Sequence, residues 1–243
     1  NNQGVFQFES DGMGTLIKEM KTENLNELVA ANALYRPGPM EIGAHEEYVK
    51  NKFNPKGRKY ANLALAPLLE ETNGVLIYQE QLMFIANKLG GLTLGEGDNL
   101  RKAMDGAGKI LKKKLNGESL TPDEENNKND KNDKELWSKF IDGAKKSGLN
   151  EDDVSKIESW LAKYLGYSFN KSHAFAYSVL ALRTLYLKHY YPIEFYCALL
   201  NHPKGNSPEE KQQKLTSIIM AALNKGIEIV PPNRKSNWDW TII

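Results

Sequence analysis

The sequence predicts a mainly α-helical fold, because apolar residues recur at helical spacing in segments that carry their own start signals. Asn24, Asn150 and Ser207 each precede such a segment and are good N-caps. Apolar runs without helical periodicity lie near both ends of the chain, at 4–10 and 227–243, and predict short β segments there. We therefore expect a multi-helix domain with minor β structure near its N-terminus and C-terminus.

The composition excludes several classes of protein. Of the 243 residues, 40% are hydrophobic and 26% are charged, and the formal net charge is +1, so no global basic field marks nucleic-acid binding. A single cysteine, Cys197, excludes an intramolecular disulfide and favours the reducing cytoplasm. No apolar run approaches the roughly 18 residues of a membrane span. We therefore expect no membrane-spanning segment in this chain. Because it starts with Asn1 rather than Met, we expect it to be a piece of a longer protein.

A stiff turn follows the first capped helix. The string YRPGP ends that helix, because Pro37 and Pro39 fix φ and Gly38 permits a sharp bend. Arg36 is held on this turn. A lone arginine more often bonds nearby carbonyl groups, and contact with DNA is the alternative.

Two polar motifs open the next helices. In GVLIYQEQ, a β-like run leads into a helix that begins near Gln79 and Gln81, which could meet base or sugar edges or simply be solvated. In LTLGEGDNLRKAM, Thr93 and Glu96 have the spacing of a capping box. The helix that they start presents Arg101 and Lys102 near its end.

The chain divides around a segment that cannot contribute to a core. Residues 121–135, TPDEENNKNDKNDKE, contain no apolar side chain that could be buried and predict a flexible loop. We therefore expect two helical lobes, 1–120 and 136–243.

The stretch 164–201 is the most informative, because a polar loop enters a strongly apolar helix there. Ser172 is a good N-cap, so the free amides that begin near His173 would face outward at the positive end of the helix dipole, where an anion is favoured. Lys171 flanks this point. On spacing alone, Lys171 and His173 could equally be solvated residues at the edge of a core. The stripe expected to bury the helix includes Leu180, Leu182, Leu185 and Leu187.

The string GYSFNKSHAFAYSVLALRTLYLKHYYPIEFYCALLN closely resembles a signature of the family C bacterial DNA polymerases, the DNA polymerase III alpha subunits. VFQFES, YRPGPM, YQEQ and LRKAM resemble other motifs of that family and occur in the family's order. The resemblance covers nearly the whole chain and implies a helical fingers region, which binds the incoming deoxynucleoside triphosphate (dNTP). Where the family has two arginines, this chain has Arg101 and Lys102, and a lysine lacks the planar fork that grips phosphate bidentately.

The resemblance also implies roles for particular residues. Contacts with the triphosphate fall on Arg101, Lys102, Lys171, Ser172 and His173. Contacts with the nascent base pair or DNA fall on Arg36, Gln79, Gln81, Asn170 and Tyr177, although Tyr177 could equally belong to the core.

No catalytic residue is expected in this chain, because the family holds two Mg²⁺ ions with palm aspartates and no strand here bears paired aspartates. The fragment alone should therefore be inactive. The implied partners are primer-template DNA, the dNTP and, through the parent protein, the sliding clamp and other replisome subunits. The resemblance leaves open a main replicase, an error-prone relative or a phage enzyme.

A non-enzymatic DNA-binding module is the alternative function. Residues 149–174 can be interpreted as two helices around a glycine turn, with Asn170, Lys171 and His173 facing DNA, as in a helix-turn-helix protein. This interpretation leaves YRPGPM, YQEQ and LRKAM unexplained.

Overall fold

The computed structural model describes residues 2–115, 119, 121, 131–164, 166–232, 234, 236 and 239–242, with the backbone alone at 107–115 and 131. This part of the chain is mainly helical, as predicted. Its helices, in chain order, are α1 (Asp11–Met20), α2 (Leu25–Leu34), α3 (Pro37–Glu41), α4 (Ala44–Phe53), α5 (Ala66–Leu69), α6 (Gln79–Lys88), α7 (Leu94–Leu115), α8 (Lys131–Lys146), α9 (Glu151–Ala162), α10 (Lys171–Tyr190), α11 (Pro192–Asn201) and α12 (Pro208–Leu223). Short 3₁₀ turns cover Pro55–Gly57, Leu63–Leu65 and Glu70–Thr72.

Several helix starts follow the predicted capping chemistry. The side chains of Asn24, Asn150 and Ser207 each accept a hydrogen bond from an amide in the first turn of the helix that follows. Thr93 and Glu96 bond reciprocally at the start of α7, as a capping box requires.

The predicted β segments are not confirmed: no strand occurs among the described residues, which contain one isolated bridge, between Tyr78 and Phe169. Near the N-terminus, the amides of Val5 and Phe8 donate to carbonyls three residues earlier, so this segment forms turns. Near the C-terminus, the amide of Trp240 donates to a side chain of α11 instead of to a second strand. Backbone groups satisfied in these ways need no sheet partner.

The chain forms two compact units, Thr22–Ala174 and Asn1–Lys21 with Phe175–Ile243, whose boundary falls inside α10. The predicted division at 121–135 stays a prediction. Residues 122–130 lie outside the described residues, and 131–135 are the first residues of α8.

The core of the larger unit centres on α6, which packs against α7. The residues between Val75 and Tyr78, just before α6, are almost completely buried. α8 approaches the end of α6 through a pair of glycines: a Cβ at Gly143 would overlap the carbonyl of Gly90. This close backbone contact requires glycine at position 143.

The smaller unit has its own core, between α11 and α12. Its buried residues are Phe195, Tyr196, Leu200, Ile218, Ala221 and Ala222. Lys188 of α10 is also buried in this unit and donates to the carbonyl of Gln3 at 2.6 Å. Burial lowers the pKa of Lys188 to about 8.

The prediction that four leucines of α10 are buried was wrong. Leu180, Leu182, Leu185 and Leu187 are 45–49% exposed, whereas Ala174, Ser178 and Ala181 supply the buried strip of the helix. The helix packs through small side chains, so its larger apolar side chains remain at the surface. Among the described residues, no helix has the length and apolar character required to cross a bilayer.

Candidate anion-binding site

The first group of predicted site residues lies on α7. Arg101 is bonded to two carboxylates of its own helix: Nε donates to Asp98 Oδ1 at 2.9 Å, and Nη1 donates to Asp105 Oδ2 at 2.7 Å. These partners lie three residues before and four residues after Arg101, where side chains of a helix are neighbours. Only 13% of the Arg101 side chain is exposed, so the guanidinium is held close to the helix surface.

Lys102 shares one of these carboxylates. Its Nζ lies 2.8 Å from Asp98 Oδ2, and 61% of its side chain is exposed. Hydrogen bonds from Lys102 and Arg101 hold the pKa of Asp98 below its usual value. We call Asp98, Arg101, Lys102 and Asp105 the α7 cluster.

The second group lies at the start of α10. The helix begins at Lys171, and Asn170 is its cap: Asn170 Oδ1 accepts from the amide of His173 at 2.8 Å and from Ser172 Oγ at 2.6 Å. The prediction that Ser172 is the N-cap was therefore wrong. Asn170 has the same capping chemistry and stands two residues earlier, where the chain leaves the extended conformation.

A carboxylate already lies against the first amide of α10. The two carboxylate oxygens of Glu80 lie 3.1 and 3.0 Å from the amide nitrogen of Lys171, and Oε1 also accepts from Asn170 Nδ2 at 3.1 Å. The Lys171 side chain is paired as well, with Nζ 2.6 Å from Glu71 Oε1. An intramolecular anion thus sits where an external anion was expected. We call Glu71, Glu80 and Asn170–His173 the α10 start.

These contacts show that carboxylates already neutralise cations of the predicted site. Arg101, Lys102 and Lys171 each have at least one carboxylate partner. An anionic ligand would therefore have to compete with these carboxylates or share the cations with them.

The structure places Arg36 beneath the loop that precedes α10. Nε donates to the carbonyl of Ala33 at 3.1 Å, Nη2 donates to that of Tyr167 at 3.0 Å, and the guanidinium carbon lies 4.2 Å from the centre of the Phe169 ring. Burial lowers the pKa of Arg36. Bonding to nearby carbonyls is the alternative that the sequence favoured for a lone arginine.

The two glutamines of YQEQ have different environments. Gln79 is half-buried at the first position of α6. Gln81 is buried, its Oε1 accepts from the amides of Ile77 and Tyr78 at 3.0 and 2.9 Å, and its Nε2 donates to Thr72 Oγ1 at 2.7 Å. The structure therefore gives Gln81 a structural role, because its amide is used inside the fold.

Tyr177 lies one turn after His173 on α10 and belongs to the smaller unit. Its ring packs against that of Phe6, with 5.2 Å between ring centres. His173 is exposed, and its ring meets that of Phe169 edge-on at 5.5 Å.

The structure brings Asn170, Lys171, Ser172 and His173 together on one turn, and it brings Arg101 and Lys102 together on another. The larger unit contains both groups. Their convergence on one ligand stays a prediction.

The family resemblance implies Mg²⁺ ions held by palm residues outside this chain, and the described residues offer no metal site of their own. They contain no group of three or more His, Cys, Asp or Glu side chains able to hold a metal ion. The carboxylates of the two clusters accept hydrogen bonds from cations or amides instead. We assign no metal ligand to this part of the chain.

Glu71, Glu80 and Asp98 are the site residues that sequence reasoning missed. Asp98 could have been found, because it lies three and four residues before the two cations of α7. Glu80 and Glu71 lie 91 and 100 residues from Lys171 in the sequence, and no local pattern connects them.

The comparisons with known proteins relate this chain to bacterial DNA polymerases. The sequence model for the bacterial DNA polymerase III alpha subunit finger domain matches residues 1–121. Proteins with the name DNA polymerase III subunit alpha match nearly all of the chain. The chain belongs to the DNA polymerase III alpha subunit family.

Three relatives illustrate the match. The protein from Halalkalibacterium halodurans is 40% identical over 230 residues, which cover 95% of this chain and 18% of the relative. Those from Aquifex aeolicus and Bacillus subtilis are 38% and 37% identical over 240 residues, which cover 98% of this chain and 18% and 19% of the relatives. The chain thus spans less than a fifth of the length of these relatives.

Proposed function

We propose that this chain is the part of a DNA-directed DNA polymerase that binds the incoming dNTP and contacts the nascent base pair during template-directed nucleotidyl transfer. The proposal rests on one observation. Arg101 and Lys102 are adjacent cations on α7, within the residues that match the polymerase finger domain. The start of α10 adds Lys171, Ser172 and His173.

The chemistry of the two clusters suits a triphosphate. Arg101 presents a planar guanidinium that can grip phosphate oxygens, and Lys102 and Lys171 add point charges. Ser172 and His173 add a hydroxyl and an imidazole at the positive end of the dipole of α10. Positive charge held around the β and γ phosphates would stabilise the negative charge that moves onto pyrophosphate.

The carboxylate partners set a condition for binding. A phosphate at Arg101 would either displace Asp98 or Asp105 or share the guanidinium N–H groups with them. The amide of Lys171 is occupied by Glu80 in the same way. We infer that the described conformation precedes nucleotide binding and that closure around the nucleotide rearranges these pairs.

Contacts with the nascent base pair or DNA are proposed for Gln79, Asn170 and Tyr177. Gln81 is not kept in this group, since its amide is already bonded inside the fold. Arg36 is treated separately below.

The rest of the parent protein supplies the other requirements of the reaction. We assign the metal-binding aspartates and the contacts with the sliding clamp and other replisome subunits to parts of the parent outside this chain. The fragment alone is then inactive, and the parent acts in the cytoplasm.

The helix-turn-helix alternative has less support. The connection between α9 and α10 runs from 163 to 170, about twice the length of the three- or four-residue turn of such motifs. Within it, the amide of Phe169 donates to the carbonyl of Ile77, and its carbonyl accepts from the amide of Gln79, both at 2.9 Å. These bonds fix the connection against α6 rather than leave it as a free turn.

The full-length polymerase provides the test. We expect Arg101→Ala and His173→Ala to raise the KM for dNTP at least about tenfold, the loss of one charge-assisted contact, while the primer-template Kd changes less than about twofold. Lys102→Ala should raise the KM about threefold.

Lys156 provides a matched control for Lys102. Each lysine forms an exposed ion pair with an aspartate four residues earlier, and 55% of the Lys156 side chain is exposed, against 61% for Lys102. Lys156→Ala should leave the KM unchanged. Equal losses of dNTP incorporation and primer-template binding in the Arg101 and His173 variants would contradict the proposal and indicate a DNA-backbone role.

A further inference from the structure

Arg36 and the first three residues of α3, which together we call the proline-rich turn (36–39), lie against the loop at 167–169. Arg36 bonds the carbonyl of Tyr167 and covers the ring of Phe169, and its Nε ties the same side chain to the carbonyl of Ala33 at the end of α2. One arginine therefore fixes the loop to a helix that lies more than 130 residues earlier in the sequence.

Gly38 touches the same loop. A Cβ at this position would lie 2.2 Å from Tyr167 Cδ1 and would therefore overlap the ring of Tyr167. The φ angle of Gly38 is not in the left-handed region, so the requirement for glycine is one of space rather than of backbone conformation. The motif thus contributes two independent contacts to the loop, from Arg36 and from Gly38.

The loop continues directly into the α10 start. The backbone of Phe169 is bonded on both sides, to the carbonyl of Ile77 and the amide of Gln79. The next residue, Asn170, caps α10, and Lys171 is the first residue of that helix. Because these residues follow directly in the chain, a displacement of 167–169 would also displace Asn170 and Lys171.

We propose that Arg36 and Gly38 are positioning residues, which set the geometry of the α10 start through the loop at 167–169 and do not themselves touch DNA or nucleotide. This inference rests on the proposed function for its effect on dNTP binding. The contacts of both residues within the larger unit carry it.

The test compares three variants of the full-length polymerase: Arg36→Met, Gly38→Ala and the control Arg58→Met. Arg58 is a matched control because its Nε also donates to a carbonyl, that of Asn51, and its Nη2 donates to Asn73 Oδ1 at 2.6 Å. Neither of these bonds involves the loop at 167–169. Its loss removes the same kind of side chain from the same unit.

We expect Arg36→Met and Gly38→Ala each to raise the KM for dNTP about fivefold, with the primer-template Kd unchanged. In the double variant, the KM for dNTP should rise by less than the product of the two single increases, because both changes act on one loop. Amide hydrogen exchange at 170–174 should become faster in both variants. Arg58→Met should change neither the KM nor this exchange. Arg36→Lys should raise the KM less than Arg36→Met does.

Two outcomes would overturn the inference. Weaker primer-template binding in Arg36→Met but not in Gly38→Ala would show that Arg36 contacts DNA. Unchanged exchange at 170–174 in both variants would show that the turn does not position the α10 start. Failure of the proposed function is distinguishable: exchange would still become faster, but Arg101→Ala and His173→Ala would not affect dNTP binding.

Discussion

The α7 cluster and the α10 start pair cations with carboxylates in opposite ways. In the α7 cluster, Arg101 and Lys102 find both of their partners on their own helix, within four residues. At the α10 start, the amide and the side chain of Lys171 bind Glu80 and Glu71, which the fold brings from 91 and 100 residues away.

This difference indicates which cluster depends on the rest of the unit. The α7 cluster needs only the helix to form, so distant substitutions should leave it intact. The α10 start depends on the turn before α6, the loop at 167–169 and the proline-rich turn. Substitutions in these segments should disturb one half of the proposed site and leave the other half unchanged.

Loss of the buried amide of Gln81 should give the largest such effect. Gln81→Leu leaves the amides of Ile77 and Tyr78 without their acceptor, and each unsatisfied buried group costs about 1–3 kcal/mol. We expect the local opening free energy measured by hydrogen exchange in the full-length protein to fall by about 2–4 kcal/mol at 77, 78 and 169. Amides of 98–104 in α7 should change by less than about 0.5 kcal/mol.

Gln79→Leu is the control for this variant, because Gln79 is half-buried in the same turn. Gln79→Leu should change the local opening free energy little, both at 77, 78 and 169 and at 98–104. Equal loss of protection in α7 and at 169 would contradict the distinction between the two clusters.

Removal of the charge of Glu80 should have a smaller effect, and it should strengthen dNTP binding instead of weakening the structure. Glu80→Gln keeps an oxygen that can accept from the amide of Lys171 but removes a negative charge from the place proposed for a phosphate. We expect the KM for dNTP of the full-length enzyme to fall about threefold. Glu70→Gln, which removes the charge next to Glu71 in the sequence, should not change it. A higher KM in Glu80→Gln would mean that the carboxylate builds the site instead of competing for it.

The sequence could predict what depends on near neighbours. Helical spacing gave the fold class, and the caps at Asn24, Asn150 and Ser207 are local chemistry. The same reasoning could have supplied Asp98 as the partner of Arg101. It failed for Ser172, because Asn170 competes for the same role two residues earlier.

Contacts between distant segments could not be predicted in this way. The burial of Gln81 depends on Thr72 and on the extended residues before α6, and the Glu80 contact depends on how 169 packs beside them. Residues 75–77 are apolar and buried, as expected of a strand, yet no neighbouring strand pairs along them in the described part of the chain. The exposure of Leu182 and Leu187 likewise depends on which helix face meets the core.

The central claim is that the α7 cluster and the α10 start hold one triphosphate. A dNTP with a photoreactive aryl azide on its γ-phosphate tests this claim most directly, in the full-length polymerase with primer-template DNA and peptide mapping of the crosslinks. We expect labelled peptides from both 98–105 and 170–177, and excess unmodified dNTP should abolish both. Competable labelling of only one of these segments, or of neither, would contradict a shared site.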